Sequence, residues 1–265
     1  MVPSSPPVDA QRFAEEGYVH LPGFFAPDAL DHLLRTLRTV GRARAGLSGL
    51  DEGGMTFHSL LFPLDTELQS FIADQRLIDA LRPLLGDDLW VRWDQAVAKA
   101  PGAPTFPWHQ DNAYSLLLDP HVQAWIALTD AGPDDGGLWL APGSHRRPRG
   151  HHWTGGHVEV DEPPGEEVPL EARRGDLVLF SSRLLHRTTP NRADAERWVY
   201  VIEYMSARHH DPFVEPPYFQ VARHGRSRPR WRRWPRARRS VRNQVRYLPR
   251  RLAVRRREGR WRRGL

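Results

Sequence analysis

Apolar residues recur at helical spacing through the first third of the chain and at alternating spacing through the middle, and the period changes near residue 87. Asp9 precedes Ala-Gln-Arg-Phe-Ala-Glu-Glu, and Gly17 follows it. An aspartate accepts from the free N–H groups of a first turn and glycine suits the left-handed position after a last one, so a helix over 9–17 is predicted. Tyr18 to Pro22 reads as a short strand. Pro27 opens a second helix, with Leu30, Leu33, Leu34 and Leu37 on one apolar stripe. Residues 41–57 are glycine-rich and predict a loop. Helical spacing returns from Leu68 to Leu85 and stops at Gly86. From Leu89 to Lys99 large and polar residues alternate, and Pro101-Gly102 turns the chain. Further strands are predicted over 122–129, 138–141, 158–160, 176–180 and 198–205. Many short strands behind a helical start point to a mainly β fold with flanking helices, a double-sheet jelly roll with the helices packed on one face. The parts are a helical segment over 1–86, a β core over 87–222 and a tail over 223–265.

Composition changes this picture at the tail. The net charge of +6 over 265 residues conceals 19 Arg and one Glu in residues 223–265, so the tail carries +18 and residues 1–222 carry −12. Lys99 is the only lysine, against 37 arginines. With no cysteine, disulfides, thiolate metal sites and cysteine nucleophiles are excluded. The first residues lack a basic start and an apolar run, and no stretch approaches 18 apolar residues, so a cytoplasmic location is expected.

The candidate chemistry lies in Pro-Trp-His-Gln-Asp-Asn at 107–112 and Leu-His-Arg-Thr-Thr at 185–189. On an extended segment the side chains of His109 and Asp111 leave one face and can grip one ion. His186, 77 residues on, can return across a sheet as the third ligand. Two imidazoles and a carboxylate on one side of a metal, with the other positions open, suit non-haem Fe(II) oxygen chemistry. Two other His-x-acid pairs, His157/Glu159 and His209/Asp211, read as surface loops. His209 has no folded stretch after it, and His157 leaves little room for strands before His186. Arg197 opens Arg-Trp-Val-Tyr-Val-Ile-Glu-Tyr, a strand that can bring a guanidinium to the same pocket, where its planar fork suits a carboxylate.

His109-Gln-Asp111, Trp125-Ile-Ala-Leu-Thr-Asp130, Gly136-Gly-Leu-Trp-Leu-Ala-Pro-Gly-Ser-His145, Gly175-Asp-Leu-Val-Leu-Phe180 and His186-Arg-Thr-Thr-Pro-Asn191 through Arg197 resemble the phytanoyl-CoA dioxygenase family of Fe(II)/2-oxoglutarate oxygenases. The resemblance runs from about residue 10 to 206. It implies a cupin-like double-stranded β-helix and a hydroxylase. Fe(II) would be held by His109, Asp111 and His186, with 2-oxoglutarate and O2 at the open positions. Arg197 and Thr188 would meet the distal carboxylate of 2-oxoglutarate, Gln110 and Trp125 would line its pocket, and His58 would help to hold it. The implied reaction is decarboxylation of 2-oxoglutarate to succinate, coupled to hydroxylation of an unactivated C–H in a small metabolite or biosynthetic intermediate. Asp111 argues against halogenation, because halogenating relatives lack this carboxylate. Trp90, Arg92, Trp108 and Tyr114 are further candidates to face substrate. His20 and His145 read as structural, and Asn191 as shaping a loop.

The tail supports a rival. Arginines interleave with Trp231, Trp234, Tyr247 and Trp261, a composition that suits a nucleic acid, an anionic membrane surface or an acidic protein surface. On that reading the jelly roll is catalytically silent and the tail binds. A solvated extension in an arginine-biased chain is the plain alternative.

Overall fold

The computed structural model describes residues 8–233 apart from 116, 120, 148, 155, 210 and 212, and gives only the backbone for 44–52. Its helices are α1 (Ala10–Glu16), α2 (Pro27–Ser48), α3 (Thr66–Ile72), α4 (Gln75–Leu85) and the short α5 (Asn112–Ser115). Its strands are β1 (Tyr18–Leu21), β2 (Gly49–Glu52), β3 (Met55–Ser59), β4 (Leu89–Lys99), β5 (Phe106–His109), β6 (Val122–Ala127), β7 (Leu138–Leu140), β8 (His151–Thr154), β9 (His157–Val160), β10 (Val168–Pro169), β11 (Leu177–Ser181), β12 (His186–Thr188), β13 (Arg197–Ser206), β14 (Tyr218–Arg223) and β15 (Arg226–Arg232). α1 has the predicted ends: Asp9 accepts from the backbone N–H of Arg12, and Gly17 closes it at φ 89°.

A nine-stranded sheet runs β1-β11-β6-β13-β4-β14-β15, with β3 also on β4 and β2 on β3. A four-stranded sheet runs β10-β7-β12-β5, and β8 and β9 form a separate hairpin. These two main sheets are the two layers of the jelly roll. Alternation along the strands decides what each face of the large sheet meets. Ala124 and Ile126 of β6, Leu177 and Leu179 of β11, and Tyr200, Ile202 and Tyr204 of β13 join one core with Leu30, Leu37, Leu68, Leu77 and Leu81 of the helices. The intervening Trp125, Val178, Phe180 and Val199 turn the other way and join Leu138 and Leu140 of the small sheet.

The structure departs from three of these expectations. The expected loop over 41–57 is the end of α2 followed by the β2–β3 hairpin, which lies on β4 in the register Phe57 to Val97. Gly41 is tolerated inside α2 because a Cβ there would stand 2.9 Å from the His58 ring. The continuous helix expected over 68–85 is two helices, broken where Asp74 caps α4 by accepting from the Arg76 N–H. The large sheet also continues past residue 222, the expected end of the core. β15 pairs with β14, and Trp231 stacks on Phe62 at 5.7 Å between ring centroids. Trp234, Tyr247, Trp261 and the rest of the tail from 234 onward lie outside the described residues.

Candidate active site

β5 and β12 are antiparallel neighbours, and His109 and His186 face each other in register with ring centroids 4.1 Å apart. This pairing closes the 77-residue gap. Asp111 reaches them differently from the expectation. The strand ends at His109, and Asp111 sits in the turn into α5, where the N–H of Asn112 donates to Ser182 O at 2.8 Å. The turn brings Asp111 Oδ1 to 3.4 Å from His109 Nε2 and 3.7 Å from His186 Nε2. One possible ligand atom from each residue lies within 4.8 Å of the others.

The tautomers of both rings are set locally. His109 Nδ1 donates to Pro107 O at 2.8 Å and His186 Nδ1 to Leu184 O at 3.0 Å, so both Nε2 lone pairs face Asp111. Burial, then the neighbouring His109, lowers His186 to about pKa 4, so it is a neutral donor at pH 7. Burial would raise the Asp111 carboxyl, but its attraction to the imidazoles of His186 and His109 when they carry a proton on Nε2 holds it below the usual range. Gln123 donates to the other oxygen, Oδ2, at 2.8 Å and also to Glu203 at 3.1 Å. The donor set is preorganised, with one carboxylate oxygen anchored and the other turned to the imidazoles.

The triad opens on a cavity of about 480 Å³ between the sheets. Arg197 lines it while only 2% exposed, and neither its Nε nor its Nη2 has a hydrogen-bond partner. Burial lowers this guanidinium to about pKa 10, which still leaves it charged. A buried cation with idle donors is costly, so the place calls for an anion. Beside it in register is Lys99, wholly buried, whose Nζ donates to Thr188 Oγ1 at 2.9 Å and to the Thr189 carbonyl. As an ammonium Lys99 only donates, and in that state the Thr188 hydroxyl accepts from it and keeps its own proton for a partner in the cavity. Burial, and then the Arg197 charge, lowers Lys99 to about pKa 7.

Trp125 and Thr188 line the cavity. Gln110 and His58 do not. The Gln110 amide is used on the Arg183 carbonyl, and His58 packs against Trp198 with parallel rings 6.0 Å apart, next to the bare Cα of Gly41. Of the substrate-facing candidates, Arg92 and Tyr114 line the cavity, Trp90 is buried in a separate cluster with Tyr218, and Trp108 lies outside the lining, under Arg187. His157 corrects the surface-loop expectation: it sits on β9, lines the cavity and packs 5.3 Å from the Phe106 ring. Asp211, also read as a loop residue, is fully buried and accepts from Arg92 Nε at 2.6 Å. His20 has the structural role expected of it, 2.9 Å from Asp176, and Asn191 holds its loop through the carbonyls of Lys99 and Ala195.

Sequence reasoning passed over Lys99, Gln123 and Glu203. Their signal was a polar residue at an inward position of an otherwise apolar strand: Gln123 in Val-Gln-Ala-Trp-Ile-Ala, Glu203 in Val-Tyr-Val-Ile-Glu-Tyr, Lys99 after Ala-Val-Ala.

The sequence model of the family described as phytanoyl-CoA dioxygenase (PhyH) matches residues 13–199. Dioxygenase af480 of Aspergillus fumigatus is 28% identical over 228 residues, 78% of this chain and 69% of that one. Phytanoyl-CoA dioxygenase domain-containing protein 1 of Mus musculus is 32% identical over 114 residues, 37% of this chain and 38% of that one. Among solved structures, the non-heme monooxygenase ThoJ superposes with a TM-score of 0.70 at 20% identity, covering 92% of this chain and 96% of that one, which supports the shared fold.

Proposed function

The chain belongs to the phytanoyl-CoA dioxygenase family, and we propose that it is an Fe(II)/2-oxoglutarate-dependent hydroxylase acting on an unactivated C–H of a small metabolite or biosynthetic intermediate. The observation that carries this reading is one cavity with two ends: a His109/Asp111/His186 donor set, and near it a buried Arg197 with unpartnered N–H groups. The residues fit the groups the family implies. His109, Asp111 and His186 would hold Fe(II) with two neutral nitrogens and one carboxylate oxygen, and Arg197 would hold the distal carboxylate of 2-oxoglutarate. The bound iron supplies activation of O2 and the oxidation of 2-oxoglutarate to succinate and CO2.

The chain's own residues supply the rest. Arg197 and the Thr188 hydroxyl orient the cosubstrate by donating to the same carboxylate, while Lys99 fixes which way that hydroxyl points. Gln123 keeps Asp111 turned toward the two imidazoles. Trp125, Phe180 and Leu138 wall the site with apolar surface and exclude water from it.

Purified protein with Fe(II), ascorbate and O2 is expected to convert 2-oxoglutarate to succinate, faster when an accepted compound is present and with a matching product 16 Da heavier. Succinate formation that never depends on added Fe(II), or is unchanged in Asp111→Ala, would overturn the reading.

A further inference from the structure

The strand register divides the cavity into two chemically different ends. Arg197 and Glu203 both line it from β13, six residues apart, which is about 20 Å of extended chain. Assigning the Arg197 end to the cosubstrate, as proposed above, leaves the Glu203 end for the molecule to be oxidised. This end also contains an arginine, Arg92, but it is not available to an anion. Its Nε donates to Asp211, its Nη1 to Glu203 and its Nη2 to Ser115. The cluster therefore carries two carboxylates against one guanidinium and the buried imidazole of His121, whose Nε2 lies 3.3 Å from Glu203 Oε2 and which does not line the cavity. Burial opposes every charge in it, yet Arg92 is raised and Glu203 lowered by their attraction, so both stay ionised.

The surfaces around this cluster are flat, apolar or neutral. Tyr114, next to the Ser115 that Arg92 contacts, meets Trp153 edge to face at 5.8 Å. Trp153 sits at the rim, 44% exposed on β8. Ser59 and Gln95, register partners across β3 and β4, both line the cavity and offer an uncharged hydroxyl and amide. Rings bury large area against such walls, and a carboxylate or phosphate would meet the Glu203 carboxylate with no idle guanidinium beside it.

We propose that the Glu203 end is the substrate subsite and takes an uncharged or cationic, ring-bearing small molecule, and that it rejects anions, acyl-CoA thioesters included. Specificity is set by Glu203 acting with Arg92 and Asp211, and ring affinity by Trp153.

The test is calorimetric titration of full-length, metal-free protein with three matched probes: 2-naphthylmethanol, 2-naphthylmethylamine and 2-naphthoate. It needs neither iron nor turnover, so its failure is distinct from failure of the hydroxylase reading. The alcohol and the amine are expected to bind at least tenfold tighter than the naphthoate in Arg197→Met, where the idle guanidinium of the other end is removed and Lys99 stays bonded to Thr188 and the Thr189 carbonyl. Trp153→Ala, at an exposed position, should weaken the alcohol at least fivefold. Glu203→Gln should narrow the gap between alcohol and naphthoate to about threefold or less. Naphthoate binding Arg197→Met as tightly as the alcohol, or no saturable binding of the alcohol and amine at millimolar concentration, would overturn the proposal. A gap unchanged in Glu203→Gln would remove Glu203 from the specificity role.

Discussion

Lys99 shows how one side chain joins sequence, electrostatics and chemistry. Burial, and then the Arg197 charge beside it, depresses its pKa to about 7, although its ammonium donates to a hydroxyl and a carbonyl. In the unfolded chain the same lysine keeps its proton up to its ordinary 10.5. Between those values the unfolded state binds more protons, so stability contributed by this group rises with pH, by up to about 1.4 kcal/mol per pH unit. Denaturant unfolding of ligand-free protein at pH 7.5 and 9.5 should therefore show wild type gaining about 2 kcal/mol on Lys99→Met. Parallel behaviour of the two would mean that Lys99 titrates as an ordinary solvated lysine. The triad and Arg197 were legible in the sequence because their flanks follow a recognisable order. Gln110 and His58 were misread because a motif position does not say which way a side chain turns. Gln110 is committed to the Arg183 carbonyl and His58 to the Trp198 face.

Among the elements, strands with strict alternation were read best, since a period of two leaves little choice about which face is buried. β4 has the predicted bounds, Leu89–Lys99. β5 and β12 were read as extended stretches but without bounds or partners, because each is short and holds irregular register; their pairing depends on the partner sheet rather than on local propensity. The segment over 41–57 was misread for a related reason: its glycines weaken local preference, and packing of β3 on β4 decides its conformation. A buried carboxylate ties that region together. Asp94 of β4 accepts from the N–H groups of Leu61 and Phe62 and from the Tyr200 hydroxyl at 2.7 Å. Asp94→Ala leaves three buried donors unpaired and is expected to cost about 3 kcal/mol or more of unfolding free energy. A loss under about 1 kcal/mol in equilibrium denaturation would show that these bonds are replaced.

For the whole molecule, the two sheets act as a clamp whose inner faces differ in role. The small sheet brings His109 and His186 together, and the large one carries Arg197, Lys99, Gln123 and Glu203 on β13, β4 and β6. Helices α2 to α4 cover the opposite face of the large sheet with leucines, which frees its inner face for polar groups. No helix among the described residues is long and apolar enough to cross a membrane. Whole-chain charge was a poor guide to the site, since the arginines that raise it lie mostly past residue 222 while the cavity depends on Arg197 and Arg92.

The central claim is that one cavity holds iron at the triad and 2-oxoglutarate at Arg197. Anaerobic titration of the purified protein with Fe(II) and then 2-oxoglutarate tests it most directly, by the visible charge-transfer absorption of the metal–keto-acid chelate. The band is expected to appear in wild type, to be absent in His186→Ala, and in Arg197→Ala to need at least tenfold more 2-oxoglutarate for half-saturation. No band in well-folded wild-type protein, or a band indifferent to both substitutions, would contradict the account.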